Sequence, residues 1–423
     1  MRILYISYFY PPLGGPAVLR NVKTVKHLSR LGFEVDVITI KDIEYLYRDE
    51  SLLAQCSERS LIRTESFDPM AIFRKLGKGG GKHASKVYMD TPERLKLIIR
   101  RAYPIDNKIA WLPFLIRAGK KALRETKYEL IYISLGPFSS ALGAYYLSKG
   151  SGIPYAVDMR DYWNLLSDYE LQGSALHRRF ARYWEAKIYR HAALIVSATK
   201  GIGEDIAAAF GSDLSDKTIT VYNGWDEEDF EGLLPAKRVE DGFVLAYFGN
   251  IYARRSLKSF YAAVRELRSE NALPPNTRIK LYGNFFRETL QEIEQSGIGD
   301  IIHTVPQLPH REALSEMLAA DALLLTINSS SPTGTLTSKV FEYLRCRKAI
   351  LAMVPAHKEA AALLRENGND YICAMESPTS IREALSRLIA DRDQAVALTV
   401  PQHLERGNQI LLLAEKLREM FPE

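Results

Sequence analysis

The first forty residues constrain the fold more than any other part of the chain. An apolar run from Arg2 to Ser7 leads into a Pro/Gly turn, PPLGGP, and then Val18, Val22, Val25, Leu28 and Leu31 recur at spacings of three and four. That pattern is a strand, a loop and an amphipathic helix. Gly32 stands where a helix C-cap glycine belongs, and Glu34 to Ile40 (EVDVITI) alternates as a second strand. A β-α-β unit of this kind points to a parallel, doubly wound sheet.

Comparable apolar runs bounded by turn residues recur at Leu130–Ser134, Tyr155–Asp158, Leu194–Ser197, Thr218–Tyr222, Val244–Phe248, Arg278–Tyr282, Ala322–Ile327 and Ala349–Met353. So many short strands need two sheets or one very wide sheet. At about 150 residues per domain, 423 residues give two to three domains, and 47% hydrophobic content supplies a core for each. The acidic stretch Asp226–Gly242, with Leu233-Leu234-Pro235, reads as the linker. The expected division is an N-terminal domain over 1–225, a C-terminal domain over 226–400, and a final helix over 401–423 that packs back toward the first. A ligand cleft is expected where strand ends of the two sheets face each other.

The net charge of +5 excludes histone-like and disordered classes. It is unevenly distributed: residues 71–125 hold fourteen Lys or Arg against four Asp or Glu, so the remainder is net acidic. Three scattered cysteines, Cys56, Cys346 and Cys373, fit no disulfide framework or zinc spacing, and none of the eight histidines has metal spacing. A reducing, cytoplasmic compartment is expected, with no cleavable leader and no membrane span. The region 41–125 reads as a basic insertion, because its GKGGGKHASK segment at 77–86 has nothing to bury.

Several blocks in a fixed order resemble the retaining nucleotide-sugar glycosyltransferases of family four, which have the GT-B fold of two Rossmann-like domains facing a central cleft. They are YFYPPLGGPAVLR, AWLPF, ISLGPFSS, VDMRDYW, VYNGWDEEDF, YFGNIYARR, LPHREALSEMLAADALLL and TGTLTSKVFEYLRCRKAILAMVP. VDMRDYW and TSKVFEYL are similar, in particular, to members that build bacterial surface polysaccharides. The resemblance implies transfer of a sugar from a nucleotide-sugar, with a UDP-linked donor the commonest, to a glycan or lipid-pyrophosphate-linked acceptor. It also implies same-face substitution without a protein nucleophile, and no metal or other cofactor.

It further implies roles for individual residues. Arg254 and Arg255, of which Arg255 is slightly preferred, and Lys339 fall where cations hold the leaving diphosphate, a need that fixed positive charge meets in the absence of a metal. Glu342 matches the glutamate that accepts hydrogen bonds from ribose hydroxyls; the alternative is an exposed helix glutamate paired with Lys339 or Arg345. A second family glutamate, eight residues earlier, is replaced by Gly334, which leaves Thr333, Thr335 and the amides of Ser331–Thr335 as partners for the donor sugar. Gly249 ends its strand beside the phosphates, Gly283 and Asn284 approach the pocket, and Gln307-Leu308-Pro309 wraps the base. Gly15, with Gly14, offers amide N–H groups and a backbone approach that a Cβ would block.

Asp161 in VDMRDYW ends a strand and is a candidate for the acceptor's proton, with Arg160 meeting a phosphate or holding that aspartate. The other account is an Asp158–Arg160 ion pair with Trp163 as core. Basic residues of 71–125, with Tyr103, Trp111 and Phe114, suit the inner face of an anionic membrane, or else form an ordinary amphipathic helix. A non-catalytic or divergent sugar-binding protein and a GT-B epimerase or phosphorylase remain rivals. Nucleic acid is not expected as a partner, since no groove-reading or stacking motif is present.

Overall fold

The computed structural model describes all residues except 42, 44–47, 68–102, 166–173, 239–241, 252–255, 286, 393–397 and 423. The chain divides into two compact units, Met1–Asn223 with Arg406–Glu423, and Gly224–Glu405.

The first unit holds strands β1 (Arg2–Ile6), β2 (Glu34–Ile40), β3 (Ser60–Thr64), β4 (Leu130–Ser134), β5 (Tyr155–Met159), β6 (Leu194–Ser197) and β7 (Thr218–Thr220). Its helices are α1 (Pro16–Arg30), α2 (Leu112–Glu125), α3 (Ser140–Ser151), α4 (Ala175–His191) and α5 (Lys200–Phe210), joined at the end of the chain by the helix Arg406–Met420. The strands form one parallel seven-stranded sheet in the order β3-β2-β1-β4-β5-β6-β7. Both faces of β1 are covered. Ile3 and Tyr5 meet Val22, Val25 and Leu28 of α1 and Leu413 and Leu417 of the terminal helix, while Leu4 and Ile6 share the opposite core with Leu115 and Ala144. A strand buried on both faces has to be a continuous apolar run, as RILYI is. Pro16 starts α1, and Gly32, at φ 89°, ends it: its N–H donates to Ser29 O and that of Phe33 to Leu28 O, a Schellman closure.

The second unit holds α6 (Glu227–Phe230), β8 (Val244–Phe248), α7 (Lys258–Ser269), β9 (Arg278–Tyr282), α8 (Arg287–Glu294), β10 (Ile302–Val305), α9 (His310–Ala319), β11 (Ala322–Thr326), α10 (Lys339–Cys346), β12 (Ala349–Met353), α11 (Glu359–Glu366), β13 (Ile372–Cys373) and α12 (Pro378–Ala390). Its parallel six-stranded sheet runs β10-β9-β8-β11-β12-β13. The order reverses between β8 and β11, the switch point at which ligands bind in such sheets. Two doubly wound parallel sheets are therefore present.

Three strands lie outside the apolar runs of the sequence, β3, β10 and β13, and all three occupy sheet edges. β3 (SLIRT) and β10 (IHTV) are only partly buried, so their residues need not be apolar throughout. The acidic stretch after Asp226 is no free tether. Arg311 donates to Glu231 O at 2.6 Å, Ala236 N to Ser315 O at 3.0 Å and Ser315 Oγ to Leu234 O at 2.7 Å, which lays the stretch along α9. The basic insertion also contributes to the core. Trp111 is buried, donates Nε1 to Thr64 Oγ1 at 2.6 Å and packs edge-on to Tyr8, so it is core and unavailable to a membrane. Phe114 packs on Phe67 and the same core, and Tyr103 is half-buried. Residues 71–102, with Arg100 and Arg101, lie outside the described residues.

Candidate functional site

At the carboxyl end of β8 the backbone turns at Gly249, with φ 129°. A Cβ there would stand 2.7 Å from Lys339 Nζ, so the absent side chain is what lets the ammonium lie against the turn. Lys339 opens α10, and its Nζ is 4.2 Å from the centroid of the Tyr247 ring. Gly283 closes on the same turn: a Cβ there would collide with the Gly249 carbonyl. Asn284 follows, taking Asn250 Oδ1 with its N–H and Gln307 Oε1 with its amide, both at 2.9 Å. Gly249, Gly283 and Lys339 thus meet at the switch point, with Asn284 and Gln307 bonded beside them.

Tyr343 holds the switch point open. β8 and β11 pair only through Ala322↔Leu245 and Leu323↔Ala246. Beyond that register the Tyr343 hydroxyl stands between them, accepting from Phe248 N at 3.2 Å and donating to Leu324 O at 3.4 Å. Full burial pushes its phenol well above the usual range, so it remains a neutral donor and acceptor.

The residues of α10 divide by periodicity. Val340, Phe341, Tyr343 and Leu344 are buried, which leaves Lys339, Glu342 and Arg345 outward. Glu342 pairs with neither expected neighbour. Its Oε1 lies 2.7 Å from Nε2 of His310, the first residue of α9, and His310 Nδ1 lies 3.7 Å from Asp229 Oδ2. Arg345 bonds the Glu227 carboxylate, which it holds below the usual range, and its guanidinium lies 4.8 Å from the Phe230 ring centroid. The resulting chain Asp229, His310, Glu342 fixes the orientation of one carboxylate oxygen of Glu342. His310 stands in LPHREAL beside Leu308, which is half-buried. Neither His310 nor Tyr343 is singled out by the sequence, although each lies within three residues of a residue that is.

The loop after β11 carries Thr333, Gly334 and Thr335. Gly334 is buried, Thr333 is exposed with its carbonyl accepting from Glu359 N at 3.3 Å, and Thr335 N donates to Pro332 O. Lys358, almost fully buried, donates to the carbonyls of Ser329 and Ser331, so a charged group pins the loop. Asn328 Oδ1 and Thr337 Oγ1, which bracket the loop, are shielded from solvent and make no hydrogen bond. Arg254 and Arg255 lie outside the described residues.

In the first unit the structure corrects two readings. Asp158 does not pair with Arg160. It is buried and takes a bidentate pair from Arg20 of α1, with Nη2 to Oδ1 at 2.6 Å and Nε to Oδ2 at 3.0 Å. Arg20 also donates to Val221 O and to Asn223 Oδ1. Arg160 is bound instead by the carbonyls of Leu135 and Gly136, and so does not hold Asp161. Asp161 is exposed beyond β5, with Oδ1 accepting from Tyr162 N at 2.9 Å, while Trp163 is core, stacked on Phe138. Gly15 is the residue before α1, at φ 100°, and nothing lies within 4 Å of the Cβ position, so the glycine answers to backbone conformation and not to crowding.

Residues 18–224 match the family described as glycosyl transferase 4-like domain, and residues 234–399 match glycosyl transferases group 1. No curated protein sequence matches the chain. Among solved structures, the sucrose-phosphate synthase of Thermosynechococcus elongatus is similar at TM-score 0.64 with 15% identity, over 99% of this chain and 99% of that one. A glycosyltransferase from Rickettsia africae is similar at TM-score 0.66 with 9% identity, over 100% of this chain and 99% of that one. The UDP-GlcNAc 2-epimerase of Neisseria meningitidis is similar at TM-score 0.58 with 11% identity, over 99% of this chain and 100% of that one. At such identities the likeness is one of fold.

Proposed function

A glycosyl transferase 4-like domain followed by a glycosyl transferases group 1 domain makes this chain a glycosyltransferase of GT-B fold, and on that premise we propose that it is a retaining, metal-independent enzyme using a UDP-sugar. The observation that carries the reading is the placement of Lys339 against Gly249 at the switch point of the second sheet, with Glu342, on the same helix as Lys339, held by His310 of α9. The diphosphate lies against the Gly249 turn, where the Lys339 ammonium, aided by Arg254 or Arg255, neutralises the charge that develops on it. Glu342 accepts from the ribose hydroxyls, and the base lies along Gln307-Leu308-Pro309. Thr333, Thr335 and the amides around Gly334 take the sugar hydroxyls.

In the reaction the bond from the anomeric carbon to the diphosphate oxygen breaks, and a bond to the acceptor hydroxyl forms on the same face. The acceptor's proton passes to the departing phosphate oxygen. The acceptor is a glycan or lipid-pyrophosphate-linked sugar used in cell-surface polysaccharide synthesis, met at the cytoplasmic face of the membrane. Among the described residues no helix is long and apolar enough to cross a membrane. The glycine at 334 favours one competing reading, a protein that binds nucleotide-sugar without turning it over.

Thermal stabilisation by UDP-, GDP-, dTDP- and ADP-sugars tests the donor, because a ligand at one hundred times its Kd adds about 2.7 kcal/mol. Stabilisation by a UDP-sugar that is lost in Glu342→Ala, with no change on EDTA treatment and an α-linked product from an α-linked donor by proton NMR, is the expected result. Equal stabilisation of Glu342→Ala overturns the assignment of the ribose site, an inverted product overturns retention, and binding without transfer selects the non-catalytic reading.

A further inference from the structure

The α4 helix of the first unit has two apolar faces, and the described residues pack against only one. Ala181, Glu185 and Ile188 face inward and are buried. On the outward face Leu176 is 75% exposed, Phe180 43% and Tyr183 57%, at spacings of four and three that place them along one stripe. Trp184 adjoins the stripe, and Tyr146 of α3, 42% exposed with its ring 5.9 Å from that of Trp184, widens it. A solvent-facing stripe of three large apolar side chains at helical spacing is unlike the scattered single residues of an ordinary surface.

The charge around the stripe identifies its partner. α4 carries Arg178, Arg179, Arg182, Lys187 and Arg190, whereas its one carboxylate, Glu185, is wholly buried. Lys187 lies over the rings of Tyr145, Tyr183 and Trp184 at 5.3, 5.4 and 5.1 Å, so cation and aromatics form one surface. Tyrosine and tryptophan among cations, on a helix with no exposed acid of its own, is the composition that sits at the headgroup level of a bilayer. A second copy would set these cations against their own kind across a two-fold axis. We propose that the outward face of α4 docks on an anionic lipid bilayer, with Leu176, Phe180 and Tyr183 entering the headgroup region.

The position suits the proposed chemistry. α4 follows β5 in the chain, so the end bearing Leu176 lies toward the carboxyl edge of the sheet, the edge that carries Asp161. Docking there brings that edge toward a membrane-borne acceptor. The inference deepens the reading above by naming the surface, and its test does not depend on turnover.

The full chain is sedimented with vesicles of phosphatidylcholine alone and with one third phosphatidylglycerol. Three proteins are compared: the parent, Leu176→Ser/Phe180→Ser/Tyr183→Ser, and Arg179→Glu/Arg190→Glu. The expected result is binding to the anionic vesicles alone, reduced at least tenfold in both variants and in high salt. Thermal stabilisation by the UDP-sugar is recorded in the same preparations; kept in the variants, it separates failure of docking from failure of the donor site. Binding that survives in both variants overturns the proposal, as does the absence of vesicle binding by the parent. Loss of a stable oligomer in the serine variant, with vesicle binding unchanged, overturns it in favour of a protein contact.

Discussion

Glu185 gives the sharpest test of the energetics of the first unit. Its side chain is fully buried in α4, where Oε1 accepts from Tyr189 Oη at 2.9 Å and Oε2 makes no hydrogen bond. Burial pushes the carboxyl up from 4.5 to about 7, against smaller lowering effects from Tyr189, the Asn164 backbone and Arg182. Because the folded value lies above the unfolded one, the contribution to stability is fully present below pH 4.5 and is lost as pH rises through about 7. At about 1.4 kcal/mol per unit the whole loss is about 3 kcal/mol, of which about 2.5 kcal/mol falls between pH 5 and 8. For a domain of this class that is roughly 5–10 °C in melting temperature. Glu185→Gln removes the titration and leaves any cost of the amide independent of pH. Differential scanning calorimetry of the two proteins between pH 5 and 8 should therefore show the variant gaining on the parent by that amount. A difference in Tm that stays constant within about 1 °C over the range would refute the burial argument.

Two further outcomes follow from the geometry. Gly249→Ala places a methyl group against the Lys339 ammonium and forces a non-glycine residue to φ 129°; the transfer rate should fall at least tenfold in a steady-state assay, and an unchanged rate would remove Lys339 from the phosphate site. Arg20→Met leaves Asp158 buried without its partner and should cost about 3–5 kcal/mol in urea unfolding, while Arg20→Met/Asp158→Leu should recover most of it; a double variant no more stable than the single would show that the cost lies elsewhere.

Much of the fold is legible along the chain. Leu130–Ser134, Leu194–Ser197, Val244–Phe248, Arg278–Tyr282 and Ala349–Met353 are strands with the limits their apolar runs suggest, because each lies inside a sheet with a hydrogen-bonded strand on either side. The edge strands β3, β10 and β13 escape detection because one side of an edge faces solvent and admits Arg63, His303 and Thr304. Trp111 illustrates the opposite error. Its neighbours Arg117, Lys120 and Lys121 are exposed and mark a basic helix, but the ring belongs to the core through a partner, Thr64, that lies 47 residues away.

The candidate site divides in the same way. Its glycines and Lys339 are placed in it by the resemblance to the family, and the structure gathers Gly249, Gly283 and Lys339 at one turn. The bond from His310 to Glu342 spans 32 residues and has no local signature.

The sequence alone determined that this chain builds two doubly wound parallel sheets, since burial on both faces demands unbroken apolar runs and helical crossovers demand the 3.6-residue period. Only the tertiary structure decided how the polar side chains pair: Asp158 with Arg20 across 138 residues and not with Arg160, and Glu342 with His310 and not with Arg345. Ion pairing follows distance and desolvation in space, and spacing along a chain carries that information only within a helix turn or across a known register.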